Sequence, residues 1–209
     1  MKKILMVTFL SLLALNANAQ KKKSTKTTKP KNEILAKVDH LSAEIVPVGK
    51  GKKLLVFVKN ETSTDTLVVK ATEDSNLKPT DFVLKSFTAS GSKLYLLSWK
   101  EQVTTETKLK KEVADITENQ IWNPTTKTLL LGNTQKSIYI KETVFLDNNK
   151  SASHEVEKKR GEGYEFVLNT DGSVALKTKT QDNNYKYNSA TDKFEAQKPT
   201  VKTATKKKK

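Results

Sequence analysis

FVLNTDGSVAL, residues 166–176, is an apolar run, a short polar interruption and a second apolar run. Within it, the side chain of Asn169 can accept a bond from a backbone N–H two residues on, and Gly172 supplies the positive φ that closes a tight reversal. The segment therefore predicts two strands folded back on each other. The same arrangement recurs in FVKNETSTDTLVV (57–69), IWNPTTKTLLL (121–131) and YKYNSATDKFE (185–195), where Asn60, Asn123 and Asn188 open the turn and Pro124 presets φ for the position after Asn123.

Outward from these turns the chain is a series of short runs rich in Val, Leu, Ile, Phe and Tyr. Strands are predicted at 54–59, 66–71, 81–87, 93–99, 103–109, 128–131, 137–146, 164–168, 173–178, 184–187 and 193–196. Parallel pairing needs crossovers of about a dozen residues or more, usually helical, and the gaps here are too short. The expected class is all-β and mainly antiparallel, a sandwich or barrel of hairpins. A weak echo, in which Tyr95 to Trp122 and Tyr139 to Phe166 both span 27 residues at an offset of 44, makes a small propeller-like meander the runner-up. The asparagines themselves stand 63, 46 and 19 residues apart and define no period.

Two stretches fit less simply. Between Asn32 and Ile45 the apolar residues Ile34, Leu35, Val38, Leu41 and Ile45 fall near a 3.6-residue period, with Asn32 as an N-cap, which predicts one short helix; a first strand over 43–48 fits as well. LKKEVADITEN and SASHEVEKKRGEG mix both signs of charge and read as solvated strands or loops, with Lys158, Lys159 and Arg160 neutralised by Glu155, Glu157 and Glu162.

The two ends differ from the middle. Lys2 and Lys3, an apolar run of 12 residues from Ile4 to Leu15, and Asn16-Ala17-Asn18-Ala19 before Gln20 have the order of a secretory signal peptide, residues 1–19, cut between Ala19 and Gln20. The run falls short of the roughly 20 residues of a membrane-spanning helix. There is no cysteine, which excludes a thioether lipid anchor, disulfides and thiolate metal sites. The expected location is exported: bacterial periplasm, cell surface or extracellular.

The formal charge of +15 suggests a binder of acidic partners, and its distribution says where. Residues 20–32 hold Lys21, Lys22, Lys23, Lys26, Lys29 and Lys31, and residues 198–209 hold Lys198, Lys202, Lys206, Lys207, Lys208 and Lys209, with no acid in either segment. The single domain predicted for residues 33–197 keeps 24 basic residues against all 23 acidic ones. The basicity thus belongs to two Lys/Thr-rich tails whose composition predicts disorder. Their lysines are the candidate contacts to an acidic polymer: lipopolysaccharide, nucleic acid or an acidic glycan. Without interleaved aromatic or arginine side chains the attraction is non-specific.

Catalytic patterns are sparse. His40 and His154 lack the spacing of a metal pair, and there is no nucleophile elbow and no phosphate loop, since Gly49-Lys50-Gly51-Lys52-Lys53 is too short for one. Asp147 to Glu155 places oxygen side chains as a calcium loop does, but has Ala152 where Gly is required and Lys158 where the bidentate Glu belongs, so a hairpin loop is expected. Trp99, Trp122, Tyr95, Tyr139, Tyr185 and Tyr187 fit core packing better than a sugar-stacking face. The sequence points to no catalytic residue, metal site or cofactor. It is read as a non-enzymatic binding or envelope-associated protein, with a carboxylate-dependent glycan hydrolase and a lipocalin-like carrier of apolar ligands as alternatives.

Overall fold

The computed structural model describes residues 32–72 and 77–197 and the backbone of 200–201. The signal-peptide residues, the cleavage site Ala19–Gln20 and the tail lysines 21–31, 198, 202 and 206–209 lie outside them. The described chain is three sheets, antiparallel throughout, with no closed barrel. The first is β1 (Glu33–Val38), β2 (Leu41–Val48), β3 (Gly51–Lys59) and β4 (Thr64–Thr72), in that order. The second is β5 (Thr80–Ala89), β6 (Ser92–Glu106), β7 (Lys110–Asn123), β8 (Thr128–Phe145) and β9 (Ser153–Glu162). The third is β10 (Glu165–Leu168), β11 (Val174–Lys177), β12 (Gln181–Asn188) and β13 (Lys193–Ala196), with β14 (Thr200–Val201) pairing Gln181 and Asp182 of β12. This last pairing extends the sheet past Gln197.

The helix expected over 32–45 is instead the hairpin β1–β2, turning at Asp39 and His40. Leu41 and Ile45 are four residues apart, a spacing that fits a helical face and a strand face equally. Ala43 between them decides it, because all three are buried, at 2%, 0% and 3% exposure, on one side of β2. An alanine adds little to an apolar pattern, so the period of two was hidden. The strands expected at 93–99 and 103–109 are one strand, β6, with the turn at 107–109; those at 128–131 and 137–146 merge into β8. Both charged stretches form strands, within β7 and β9. The 27-residue spacing has a plain cause on one side: Tyr95 and Trp122 are cross-strand partners. Tyr139 instead pairs with Val113 and Lys159, and Phe166 lies in the third sheet opposite Leu176, so there is no repeat.

The part of the middle sheet around Leu94–Trp99 of β6 is buried on both sides. Tyr95, Leu97 and Trp99 of β6, with Leu84 and Trp122, pack into one core with Leu41, Ala43, Ile45, Leu54, Val56 and Leu67 of the first sheet. Leu94 and Leu96 point the other way, into a second core with Ala89, Ile121, Val174, Leu176 and Tyr187. The unbroken apolar run Leu94–Leu97 is the mark of a strand covered on two faces.

Turn chemistry locks the third sheet in place. The turn forms where expected but closes differently: the Asn169 C=O accepts from Gly172 N–H at 3.1 Å, the Asn169 side chain donates to Ser173 Oγ at 2.9 Å, and it is Asp171 Oδ1 that accepts from the backbone N–H two residues on, that of Ser173, at 3.0 Å. Gly172 has φ +81°, and a Cβ there would stand 2.5 Å from the carbonyl oxygen of Thr88 and 2.7 Å from Ala89 Cβ. The turn therefore abuts the end of β5, and only glycine fits. Asn123 and Asn188 each accept from the backbone N–H two residues on, at 3.0 Å. Their two turns meet at Asp192, whose carboxylate accepts from Asn123 Nδ2 (2.9 Å), Tyr187 Oη (2.7 Å), Thr126 Oγ1 (2.8 Å) and Thr128 Oγ1 (3.2 Å). Burial acts to raise the pKa of Asp192, but these donors outweigh it and lower it.

Gly172→Ala is expected to destabilise the fold by about 2 kcal/mol or more, from positive-φ strain plus overlap with β5, read as a lower urea midpoint at unchanged m-value. Asp192 has a folded pKa below its unfolded value near 4, so its contribution is full above about pH 4 and is lost as pH falls through the folded pKa. Asp192→Asn is expected to lower stability at neutral pH by about 1–3 kcal/mol, with the difference from wild type shrinking below about pH 4 in acid-titrated melts.

Candidate binding site: an uncovered sheet and its polar cleft

β5 pairs with β6 only as far as Thr80 opposite Lys100, while β6, β7, β8 and β9 run on. The residues beyond that point form a sheet with no second layer: neither core includes any of them. Ile138 and Ile140 are nevertheless only 7% exposed. Their partners in β9 are Arg160 and Lys158, and long basic side chains lay methylene stems along apolar neighbours. The Lys158 ammonium then reaches Glu142, which lowers the pKa of that carboxyl.

The opposite face of this extension is polar. Register places Lys100, Thr117 and Gln135 in one row and Gln102, Asp115 and Ser137 in the next. Tyr139 follows, its hydroxyl hydrogen-bonded to Glu157, which raises its pKa. The first two rows line a cleft of about 1050 Å³ that also takes Lys70 and Thr72 from β4 and Lys78 from the connection to β5.

At the back of the cleft the first two sheets are clamped together. Lys70 Nζ of β4 donates to both oxygens of Glu101, each at 2.8 Å, and Trp99 Nε1 donates to Glu101 Oε1 at 2.6 Å. Trp99 and Glu101 are two apart on β6 and so share a face, which brings the buried indole N–H to an acceptor. Asp115, the other acid of the cleft, accepts from Gln102 Nε2 at 2.9 Å. Glu101 is engaged by partly buried donors, whereas Asp115 and Gln102 pair at the exposed surface.

Of the side chains singled out in the sequence, Trp99, Tyr95, Trp122 and Tyr187 are core, with exposures from 1% to 8%, while Tyr139 and Tyr185 are half-buried. His40 lies in the β1–β2 turn, edge-on to Tyr95 at 6.2 Å between ring centres, and His154 lies on β9 opposite Val144. The Asp147 loop is a hairpin connection. Asp147 accepts from Ser151 N–H at 2.9 Å, from Ala152 N–H at 3.2 Å and from the Ser151 hydroxyl, and these bonds lower its pKa. Among the described residues no group of three or more His, Asp or Glu is placed to hold a metal ion. Lys70, Glu101 and the polar rows were not singled out by the sequence; the Trp99-x-Glu101 spacing was the available signal.

The chain matches no family model, no curated protein and no solved structure.

Glu101→Gln is expected to cost about 1–3 kcal/mol by leaving Lys70 without its carboxylate in a partly buried site. A double-mutant cycle with Lys70→Met in urea unfolding is expected to show coupling of about 0.5–2 kcal/mol.

Proposed function

We propose that this is an exported, non-enzymatic binding protein, in which lysine-rich terminal segments draw the molecule to an acidic polymer and the polar cleft receives it. The cleft carries the reading. It offers lysines, amides and hydroxyls, and its two carboxylates, Glu101 and Asp115, are held by Lys70, Trp99 and Gln102 rather than standing as an acid and base pair. Amides and hydroxyls suit the hydroxyls of a glycan, and Lys78 suits its acid groups, Lys100 being paired with Asp81 at 2.9 Å. Among the described residues no aromatic side chain lines the cleft to stack a base, which favours an acidic polysaccharide over nucleic acid.

The terminal lysines supply long-range attraction because the domain's own charge is spent locally. Nine ion pairs occur among the described residues, and the described domain is close to neutral. The segment 20–31 has six lysines and no acid.

Retention on immobilised heparin at about 0.15 M salt is expected to disappear when residues 20–31 and 202–209 are removed together, a deletion that leaves β14 intact. For duplex DNA as a calibrated polyanion, the slope of log K against log salt is expected near −5 if the six lysines of 20–31 engage. Retention that survives the deletion overturns the role given to the termini.

A further inference from the structure

β9 is the outer strand of the extended sheet, and of the devices that blunt such edges it has charge alone. It has no proline and no bulge: its ladder with β8 runs from Phe145 opposite Ser153 to Lys136 opposite Glu162 without a register shift. The ladders β1–β2, β3–β4, β5–β6 and β7–β8 all contain one. Its outer row of backbone N–H and C=O groups therefore offers a straight template ten residues long. Charge is the remaining defence, and a run of like charge would repel a copy of itself. β9 instead carries acids at 155, 157 and 162 and bases at 158–160, so that reversing the strand about its middle sets acid against base on either side of the centre.

The geometry points to a second copy of this chain as the occupant of that edge, with β9 pairing antiparallel to β9 of the other copy about a two-fold axis through Lys158. An axis perpendicular to the sheet keeps faces matched, so residues of equal parity must stand opposite each other. With Lys158 at the centre, Glu157 faces Lys159 twice, Val156 faces Arg160 twice and His154 faces Glu162 twice. Moving the axis to Glu157 opposes two like carboxylates at the centre, and moving it to Lys159 sets Lys158 against Arg160.

Ion pairing within the chain selects the same register. On β9, Glu155 is paired with Lys141 at 2.7 Å, Lys158 with Glu142, and Arg160 with Glu162 at 2.9 Å. Glu157 and Lys159 make no ion pair among the described residues: Lys141 stands opposite Glu157 in the register but its ammonium lies on Glu155 and acts on Glu157 only at longer range, and the Tyr139 hydroxyl is the other neighbour of Glu157. These two unspent charges are the ones that meet across the axis. The central Lys158 pair is neutralised on each side by its own Glu142. The product is a continuous sheet of ten strands, near the usual upper size of an open twisted sheet.

Sedimentation velocity of the purified protein across the micromolar range tests this. Wild type is expected to show a concentration-dependent dimer. Glu157→Lys and Lys159→Glu each set like charges opposite one another twice and are expected to weaken association about tenfold or more. An equimolar mixture of the two variants restores every pair, Glu with Lys in both places, and is expected to dimerise as wild type does. Recovery in the mixture also shows that each variant is folded. A wild type that stays monomeric throughout, single variants that associate like wild type, or a mixture no stronger than its components would each overturn the proposal.

Discussion

The structure depends on one strand being buried from both sides. Along Leu94–Leu97 of β6, successive side chains alternate between two cores, so the first and third sheets are assembled on opposite faces of one backbone. Each large apolar side chain removed from water contributes roughly 1.5–3 kcal/mol, and this strand buries five of them, Leu94, Tyr95, Leu96, Leu97 and Trp99. Trp99 and Tyr95 do most of it on one side, at 1% exposure each, with Leu94 at 0% on the other. The same periodicity that splits the cores also sets the site, since Glu101 follows Trp99 on the same face and there meets Lys70 of β4.

Beyond Lys100 the middle sheet runs without cover, and different physics holds it. No layer of apolar side chains from another sheet closes over it, so cross-strand pairs carry the load: Lys158 with Glu142, Lys141 with Glu155 and Lys111 with Glu106. Exposed pairs of this kind contribute little individually, typically below about 1 kcal/mol, and they weaken with salt. Two buried isoleucines, Ile138 and Ile140, supply an apolar part. Such a surface is polar and rich in paired charge.

The hairpins were legible because their turns carry their own instructions. Asn123 and Asn188 bond the N–H two residues ahead whatever lies beyond the turn, and Gly172 takes a conformation other residues resist. The β1–β2 hairpin was misread as a helix because its turn, Asp39-His40, has no such signature and Ala43 hid the alternation. The long strands β7 and β9 were harder to see for a related reason. Mixed charge masks apolar alternation, so LKKEVADITEN and SASHEVEKKRGEG read equally as solvated strands or loops until a neighbour pairs with them; β9 is exposed along nearly its whole length, whereas β7 is mostly half-buried. The candidate site was hidden more deeply, since Lys70 and Glu101 are 31 residues apart and neither stands in a motif.

By itself the sequence determined the class of fold, antiparallel β built from hairpins, because turn chemistry and strand alternation act over a few residues. It also determined where the excess positive charge lies, in two segments without acids outside a nearly neutral domain. Only the tertiary structure decided that there are three sheets rather than two, which strand sits between them, and which part of the middle sheet stays uncovered. Those outcomes rest on contacts between residues far apart in sequence, such as Gly172 against Thr88 and Lys70 with Glu101. Local pattern says that a face is apolar; it does not say which other face will cover it.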